Sequence, residues 1–223
     1  SRAGPDVEFP WVSAQRPMLF YSSLGPEELS ASGTSYLNRQ EAANAEKVVS
    51  LFLRAGVLPS QLGVITPYEG QRAYLTAYMV RQGALRQELY QEIEVASVDA
   101  FQGREKDYIL LSCVRSNEGA GLGFVNDPRR LNVALTRARY GLVIFGNPKV
   151  LSRSPLWNNL LVHFKDAGCL VEGDLHDLQQ STMTFRASKR LAASARLTPR
   201  AGGGAGDMGP QRYEPIANTF SAY

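Results

Sequence analysis

Apolar residues along this chain fall into short unbroken blocks, separated by longer stretches in which they recur at helical spacing. Met18-Leu19-Phe20-Tyr21 is such a block, ahead of a Gly-Pro turn, and predicts a strand. Asn38 followed by Glu41 is a capping-box pattern with an amide in place of the hydroxyl. After it Ala42, Ala45, Val48, Val49, Phe52 and Leu53 predict a helix up to Gly56. Gly63-Val64-Ile65-Thr66 reads as a buried strand stopped by Pro67, and Glu69 to Arg81 as a second helix ending before Gly83. Strands follow at Ile93 to Val98 and Tyr108 to Val114, then a Gly-rich loop from Ser116 to Asn126. Asp127-Pro128 supplies an N-cap acid and a proline at the first helical position, which predicts a helix to about Arg139 and a strand from Leu142 to Phe145. Ser154-Pro155 opens one more helix to about Lys165, and Cys169-Leu170-Val171 is placed to close the sheet.

Strands that alternate with helices and read as continuous apolar runs predict a mostly parallel sheet covered on both faces. Ligands in such sheets gather at the carboxyl ends of the strands. Thr66, Ser97 to Asp99, Arg115 and Gly146 all fall just past predicted strand ends. Residues 1–17 are polar and Pro-rich and read as a linker. From about Arg186 the pattern is lost, and residues 185–223 read as a disordered, basic, Gly-rich tail. No internal repeat is found.

Composition adds bounds. The chain has 223 residues, 44% of them hydrophobic, enough for one sizeable core. The net charge of +3 is unevenly placed: residues 185–223 carry +4 and the remainder −1. Nucleic-acid binding by the folded part would therefore need a local basic patch rather than a global field. Cys113 and Cys169 stand in apolar runs and read as buried free thiols in a reducing compartment. With no CxxC and no Cys/His cluster, no metal site is expected. The sequence holds no run of membrane-span length and opens on no signal-peptide pattern. It begins without methionine, and reads as cut from something longer.

Three segments carry the chemistry: Gly63 to Arg72, Val95 to Asp107, and Leu131 to Gly141. In order and spacing they resemble motifs IV, V and VI of the second RecA-like domain of superfamily 1 helicases. Within that superfamily the resemblance is closest to the up-frameshift RNA helicases of nonsense-mediated mRNA decay, and it covers roughly residues 8–185. It also rests on Gly33 to Arg39, Gln102 to Asp107 and Asp127 to Tyr140. The fold class it implies is α/β and RecA-like, with residues 18–184 as the second RecA-like domain, incomplete at its N-terminus.

The resemblance implies that Arg137 is an arginine finger reaching the γ-phosphate of ATP. Charge builds on the phosphoryl oxygens in the transition state, and such a finger is worth on the order of 10³–10⁵ in rate. It is expected in the last turn of a helix, sharing a face with Arg130, at the open rim where the strands finish. Arg139 would point away and take a structural or nucleic-acid role. The competing reading is a solvated basic helix end. The resemblance also places a backbone amide of Gly103 near the phosphates and Glu105 near the ribose or a neighbouring arginine; otherwise Glu105 is a surface acid paired with Lys106 or Arg104. Gln102 would couple nucleotide to nucleic acid. Thr66, Pro67, Tyr68, Ser97 and Val98 would track a single-strand backbone. Arg115, Arg129 and Arg130 would contact phosphates. Thr66 is nearly as well read as a turn residue, and Tyr68 as a core or rim aromatic.

The sequence contains no GxxxxGK[ST] loop and no Asp-Glu pair after an apolar strand. The resemblance implies that a first RecA-like domain supplies both and binds most of the ATP and magnesium. The Tyr-Arg segment that opens the second domain in this superfamily is also missing. The loop Asn117 to Gly123 and the Gly-rich tail depart from the family pattern. The expected activity is thus half of an ATP-dependent 5′-to-3′ helicase, inactive alone, with single-stranded RNA or DNA, the first domain and mRNA decay factors as partners, and a cytoplasmic or also nuclear location. The alternative is a non-catalytic RNA- or partner-binding module. An unrelated nucleotide-binding domain would carry a Gly-rich fingerprint after the first strand, and none is there.

Overall fold

A computed structural model describes residues 7–186. Its centre is a seven-stranded sheet. Strands β1 (Met18–Ser22), β4 (Leu62–Ile65), β5 (Glu94–Ala96), β6 (Lys106–Ser112), β7 (Ala138–Gly146) and β8 (Leu170–Asp174) run parallel, and β9 (Asp177–Gln180) pairs antiparallel to β8 at one edge. The order across the sheet is β5-β4-β6-β7-β1-β8-β9. A separate hairpin, β2 (Glu28–Leu29) with β3 (Tyr36–Leu37), stands apart from it.

Helices cover both faces, as continuous apolar strands require. On one face lie α1 (Arg39–Arg54), α2 (Glu69–Gln82) and the short α3 (Gln87–Gln91). Ala42, Ala45, Val48, Val49 and Phe52 of α1 and Leu75 and Met79 of α2 form a core there with Val64, Leu110 and Val143 of the sheet. On the other face α4 (Pro128–Leu135), α5 (Pro148–Leu151) and α6 (Pro155–Asp166) bury Leu131, Leu135, Leu151, Trp157, Leu161 and Phe164 against Ile65, Ile109 and Ile144. Each fully buried large side chain contributes roughly 1.5–3 kcal/mol. Asn38 caps α1, its side chain accepting from the Glu41 amide at 3.0 Å. Asp127 caps α4 by accepting from the amides of Arg129 and Arg130. Among the described residues no helix is long and apolar enough to cross a membrane.

Four sequence expectations need correction. The helix predicted to reach Arg139 stops at Leu135, where Thr136 turns the chain and its amide and hydroxyl bond back to Asn132 and Val133. Pairing with β6 then takes over, and Arg139 is an exposed strand residue. Arg137 therefore shares no helical face with Arg130. Residues 7–17 are no free linker: Phe9 is buried, its ring stacked on Phe52 at 4.4 Å and 3°. Trp11 packs so closely on Gly141 that a Cβ there would lie 2.8 Å from the indole. Phe185 packs against the second core and the Arg186 carbonyl accepts from Asn158, so the domain runs past 184. The rest of the proposed tail, residues 187–223, lies outside the described residues. Finally, the Gly-rich loop holds a 3₁₀ turn, Gly123–Asn126.

Candidate functional site

The parallel sheet has two open edges, and the candidate residues divide between them. Gly103, Glu105 and Arg137 precede β6 and β7, so they lie at the amino edge. This corrects the expectation that Arg137 faces the rim where strands finish. The two segments meet there because β6 and β7 are neighbours: the Lys106 amide donates to the Arg137 carbonyl at 3.1 Å. Arg137 is half-buried, and its guanidinium donates to the carbonyls of Val133 (3.1 Å) and Arg104 (3.4 Å) and to Thr136 Oγ1 (3.1 Å). All three acceptors are neutral, and two of the five N–H donors are left over. Its neighbours differ. Arg104 pairs with Glu94, and Arg139 with Glu105 at 3.2 Å and Asp107 at 3.8 Å. Glu105 is therefore partnered by Arg139, not by Lys106 or Arg104 as the surface reading had it; Lys106 joins Glu94 instead. Gly103 adopts φ +77, and nothing lies within 4 Å of where its Cβ would be. A side chain is disfavoured there by backbone conformation while the space beside it stays open. Gln102 is exposed on the same turn.

Thr66, Ser97, Val98 and Arg115 follow β4, β5 and β6 at the carboxyl edge, and this group is largely closed. Thr66, Tyr68, Val98 and Arg115 are buried, so their side chains do not offer the surface contacts expected of them; Pro67 and Ser97 are half-buried. Tyr68 is fixed by donating to the Leu122 carbonyl (3.1 Å) and by edge contacts with Tyr36 and Phe124, and burial raises its pKa. Arg115 is committed to Glu27 at 2.9 Å and lies 4.6 Å over the Tyr36 ring. The Thr66 hydroxyl is fully buried without a hydrogen-bond partner.

Beneath this edge lies a polar network that the sequence reading did not single out. Val114 is β-branched yet sits at φ +69, a strained conformation. Its amide donates to the Glu41 carboxyl (2.9 Å) and its carbonyl accepts from Asn38 (3.2 Å). Ser112 donates to Glu41 at 2.6 Å, and Gln71 donates to both Ser112 and the Asn38 carbonyl. Glu41 is fully buried, the Ser112 hydroxyl and Val114 amide that bond its carboxyl are neutral, and burial pushes its pKa up to about 8 despite these donors. The capping-box spacing pointed to Glu41 as a helix-start residue; nothing local marked it as the support of a loop 73 residues away. Glu27 was missed likewise: its carboxylate accepts from the Ser116 and Asn117 amides as well as from Arg115.

A family model described as AAA domain matches residues 3–149. The chain is 66% identical over 207 residues to a regulator of nonsense transcripts 1 homolog from Arabidopsis thaliana, covering 93% of this chain and 16% of that protein. It is 58% identical over 222 residues to the ATP-dependent helicase upf1 of Schizosaccharomyces pombe, covering 99% and 23% respectively. It is 60% identical over 182 residues to the ATP-dependent helicase NAM7 of Saccharomyces cerevisiae, covering 82% and 19%. The chain thus spans less than a quarter of the length of each of these relatives. The parallel sheet with two helical layers and the family match agree: the chain belongs to the AAA-domain family, as a RecA-like domain of the superfamily 1 helicase type.

Proposed function

We propose that this chain is the second motor half of an ATP-dependent helicase that works on single-stranded nucleic acid in nonsense-mediated mRNA decay. The relatives' names carry the helicase and decay context. The observation that carries the assignment of roles is Arg137. It is a guanidinium oriented by three neutral oxygens, with no carboxylate among its bonded partners, beside the open Gly103 turn. Such a group is suited to a developing phosphoryl charge. In this reading a first RecA-like domain holds most of the nucleotide and its magnesium against the amino edge. Gly103 lends a backbone amide, Glu105 reaches the ribose or holds Arg139, and Gln102 relays closure. Among the described residues no group of three or more His, Cys, Asp or Glu could hold a metal, so no step here is assigned to one. The single strand would cross the carboxyl edge. Pro67 and Ser97 meet it from half-buried positions, and Thr66, Tyr68, Val98 and Arg115 shape the loops from below.

The non-catalytic alternative has one observation in its favour: the Arg137 side chain bonds to Val133, Arg104 and Thr136, all within the domain. Arg137→Ala in the intact protein separates the two. A finger predicts that ATP turnover falls on the order of 10³–10⁵-fold while RNA affinity is kept. Normal turnover with weakened RNA binding rejects it. The 223-residue chain alone is expected to hydrolyse no ATP.

A further inference from the structure

Five large apolar side chains are exposed among the described residues, and one of them, Phe124, is aromatic, at 58% exposure. It lies in the 3₁₀ turn Gly123–Asn126, which is held firmly. Trp157 donates from its indole to the Val125 carbonyl at 2.9 Å, and the Asp127 amide bonds back to Phe124 at 3.3 Å. The backbone at Gly123 passes so close to Arg115 and Tyr68 that a Cβ would meet Nη1 and Oη at 3.2 Å, and its φ is +57. The ring itself is fixed from two sides. The Arg130 guanidinium sits 5.2 Å over it and is in turn gripped by Asp99 through two bonds of 3.1 and 3.3 Å. Tyr68 meets it edge-on at 6.2 Å. Beside it Pro67, Val98, Leu131 and Ala134 line a shallow apolar hollow.

A solvent-facing phenylalanine held this rigidly gains little for the fold, but offers a planar apolar surface at no further ordering cost. We propose that Phe124, backed by Arg130, is a platform on which one base of a single strand stacks, with Pro67 and Val98 forming the floor beside it. Aromatic stacking suits a strand bound without regard to sequence, because every base has a π-face, and the adjoining guanidinium adds a cation–π contribution. The charge agrees: Arg129, on the next turn, is exposed, and while its amide serves the Asp127 cap its guanidinium forms no ion pair among the described residues, leaving a cation for the phosphate that follows the base. The extent agrees too. One ring over one hollow can seat a base, and falls far short of the roughly 800 Å² per partner of a stable protein interface.

This inference rests on the reading of the carboxyl edge as the single-strand side, and the test separates the two. The intact protein is titrated, by fluorescence anisotropy, against a labelled oligouridine and against a sugar-phosphate strand of equal length without bases. Phe124→Ala is expected to weaken oligouridine binding roughly 5- to 100-fold, leave the abasic strand's affinity unchanged and leave the salt dependence of binding unchanged. Phe124→Trp should restore the loss. An alanine variant that binds oligouridine as well as the parent, or loses both strands equally, overturns the platform. A parent protein that binds neither strand overturns the carboxyl-edge reading together with it.

Discussion

Glu41 offers a stability measurement whose sign and size can be worked from its surroundings. Its carboxyl is fully buried, facing the Ser112 hydroxyl and the Val114 amide. Those donors favour the charged form, but burial wins and raises the pKa from an ordinary 4.5 to about 8. A group that holds its proton more tightly when folded contributes stability that is complete below its unfolded value and is lost as pH rises through the folded one. The gap corresponds to roughly 5 kcal/mol over the whole range. His163 is the competing group: burial lowers its pKa below 6.5, so its effect has the opposite sign and ends near that pH. Comparing about pH 6.5 with about pH 8.5 leaves His163 out, and the buried Cys113 and Cys169 thiols, whose pKa burial also raises, weigh on the parent and on a Glu41 variant alike, so the difference between the two reports Glu41. Over that interval the folded carboxyl sheds most of its proton, costing about 2 kcal/mol, or a Tm lowered by roughly 4–8 °C for a domain of this size. Glu41→Gln keeps the shape and removes that titration, so its Tm should fall clearly less than the parent's across the same interval and exceed the parent's at the alkaline end. Thermal unfolding of both chains followed by circular dichroism in the two buffers provides the comparison. Parallel curves for parent and variant would show that the carboxyl is ionised throughout, and the reasoning would fail.

Two further substitutions probe the packing. Glu27→Ala leaves Arg115 buried without its counter-charge and strips the acceptor from the Ser116 and Asn117 amides; a loss of roughly 3–5 kcal/mol is expected in denaturant unfolding, and a loss under 1 kcal/mol would show that Arg115 escapes to solvent. Phe9→Ala removes a ring stacked on Phe52 and should cost about 3 kcal/mol, whereas a true linker residue would cost almost nothing.

How much could be read in advance depended on how local the determining forces were. The blocks around Val64, Leu110 and Ile144 announced strands because a parallel strand is buried on both faces and has no polar side to alternate with. The start of α4 was legible in Asp127-Pro128 because capping is a three-residue event. Its end was not. Thr136 to Arg139 would suit a helix, and only the pairing of Ala138 with Lys106, 32 positions earlier in the chain, turns them into strand. The same pairing decides where Arg137 lies. Motif spacing made the residue a candidate, but strand direction was needed to know which edge it occupies. The carboxyl-edge group was named correctly as lying past strand ends, and misjudged in exposure. Burial of Tyr68 and Arg115 depends on Glu27, just before the small hairpin, and on Tyr36 within it, and that hairpin has too few apolar residues to announce itself.

The division of the candidates between two edges constrains how the proposed motor half could work. Strand β6 has seven residues and β7 nine, so the Arg137 turn and the Arg115 loop are separated by roughly 23–30 Å of strand. Both strands are buried at the sheet's centre, paired to each other along most of their length and covered by both cores. A close-packed element of this kind transmits displacement without storing much of it. A pull on the amino edge would therefore move the carboxyl edge as one body with it, and the segments left to respond on their own are the loops after β4, β5 and β6. Of these, the loop after β6 carries the strained Val114, held by Glu41 and Asn38 from the start of α1, and the loop after β4 carries the unpartnered Thr66 hydroxyl. Strain and an unmet hydrogen bond both lower the cost of leaving the present arrangement. On this reading the domain works as a rigid lever whose carboxyl-edge loops, not its sheet, change shape when a strand is gripped. The Thr66 hydroxyl, closed off here, is then the group to follow: Thr66→Val should leave the free protein as stable or slightly more so, and weaken strand binding if the loop opens to use it.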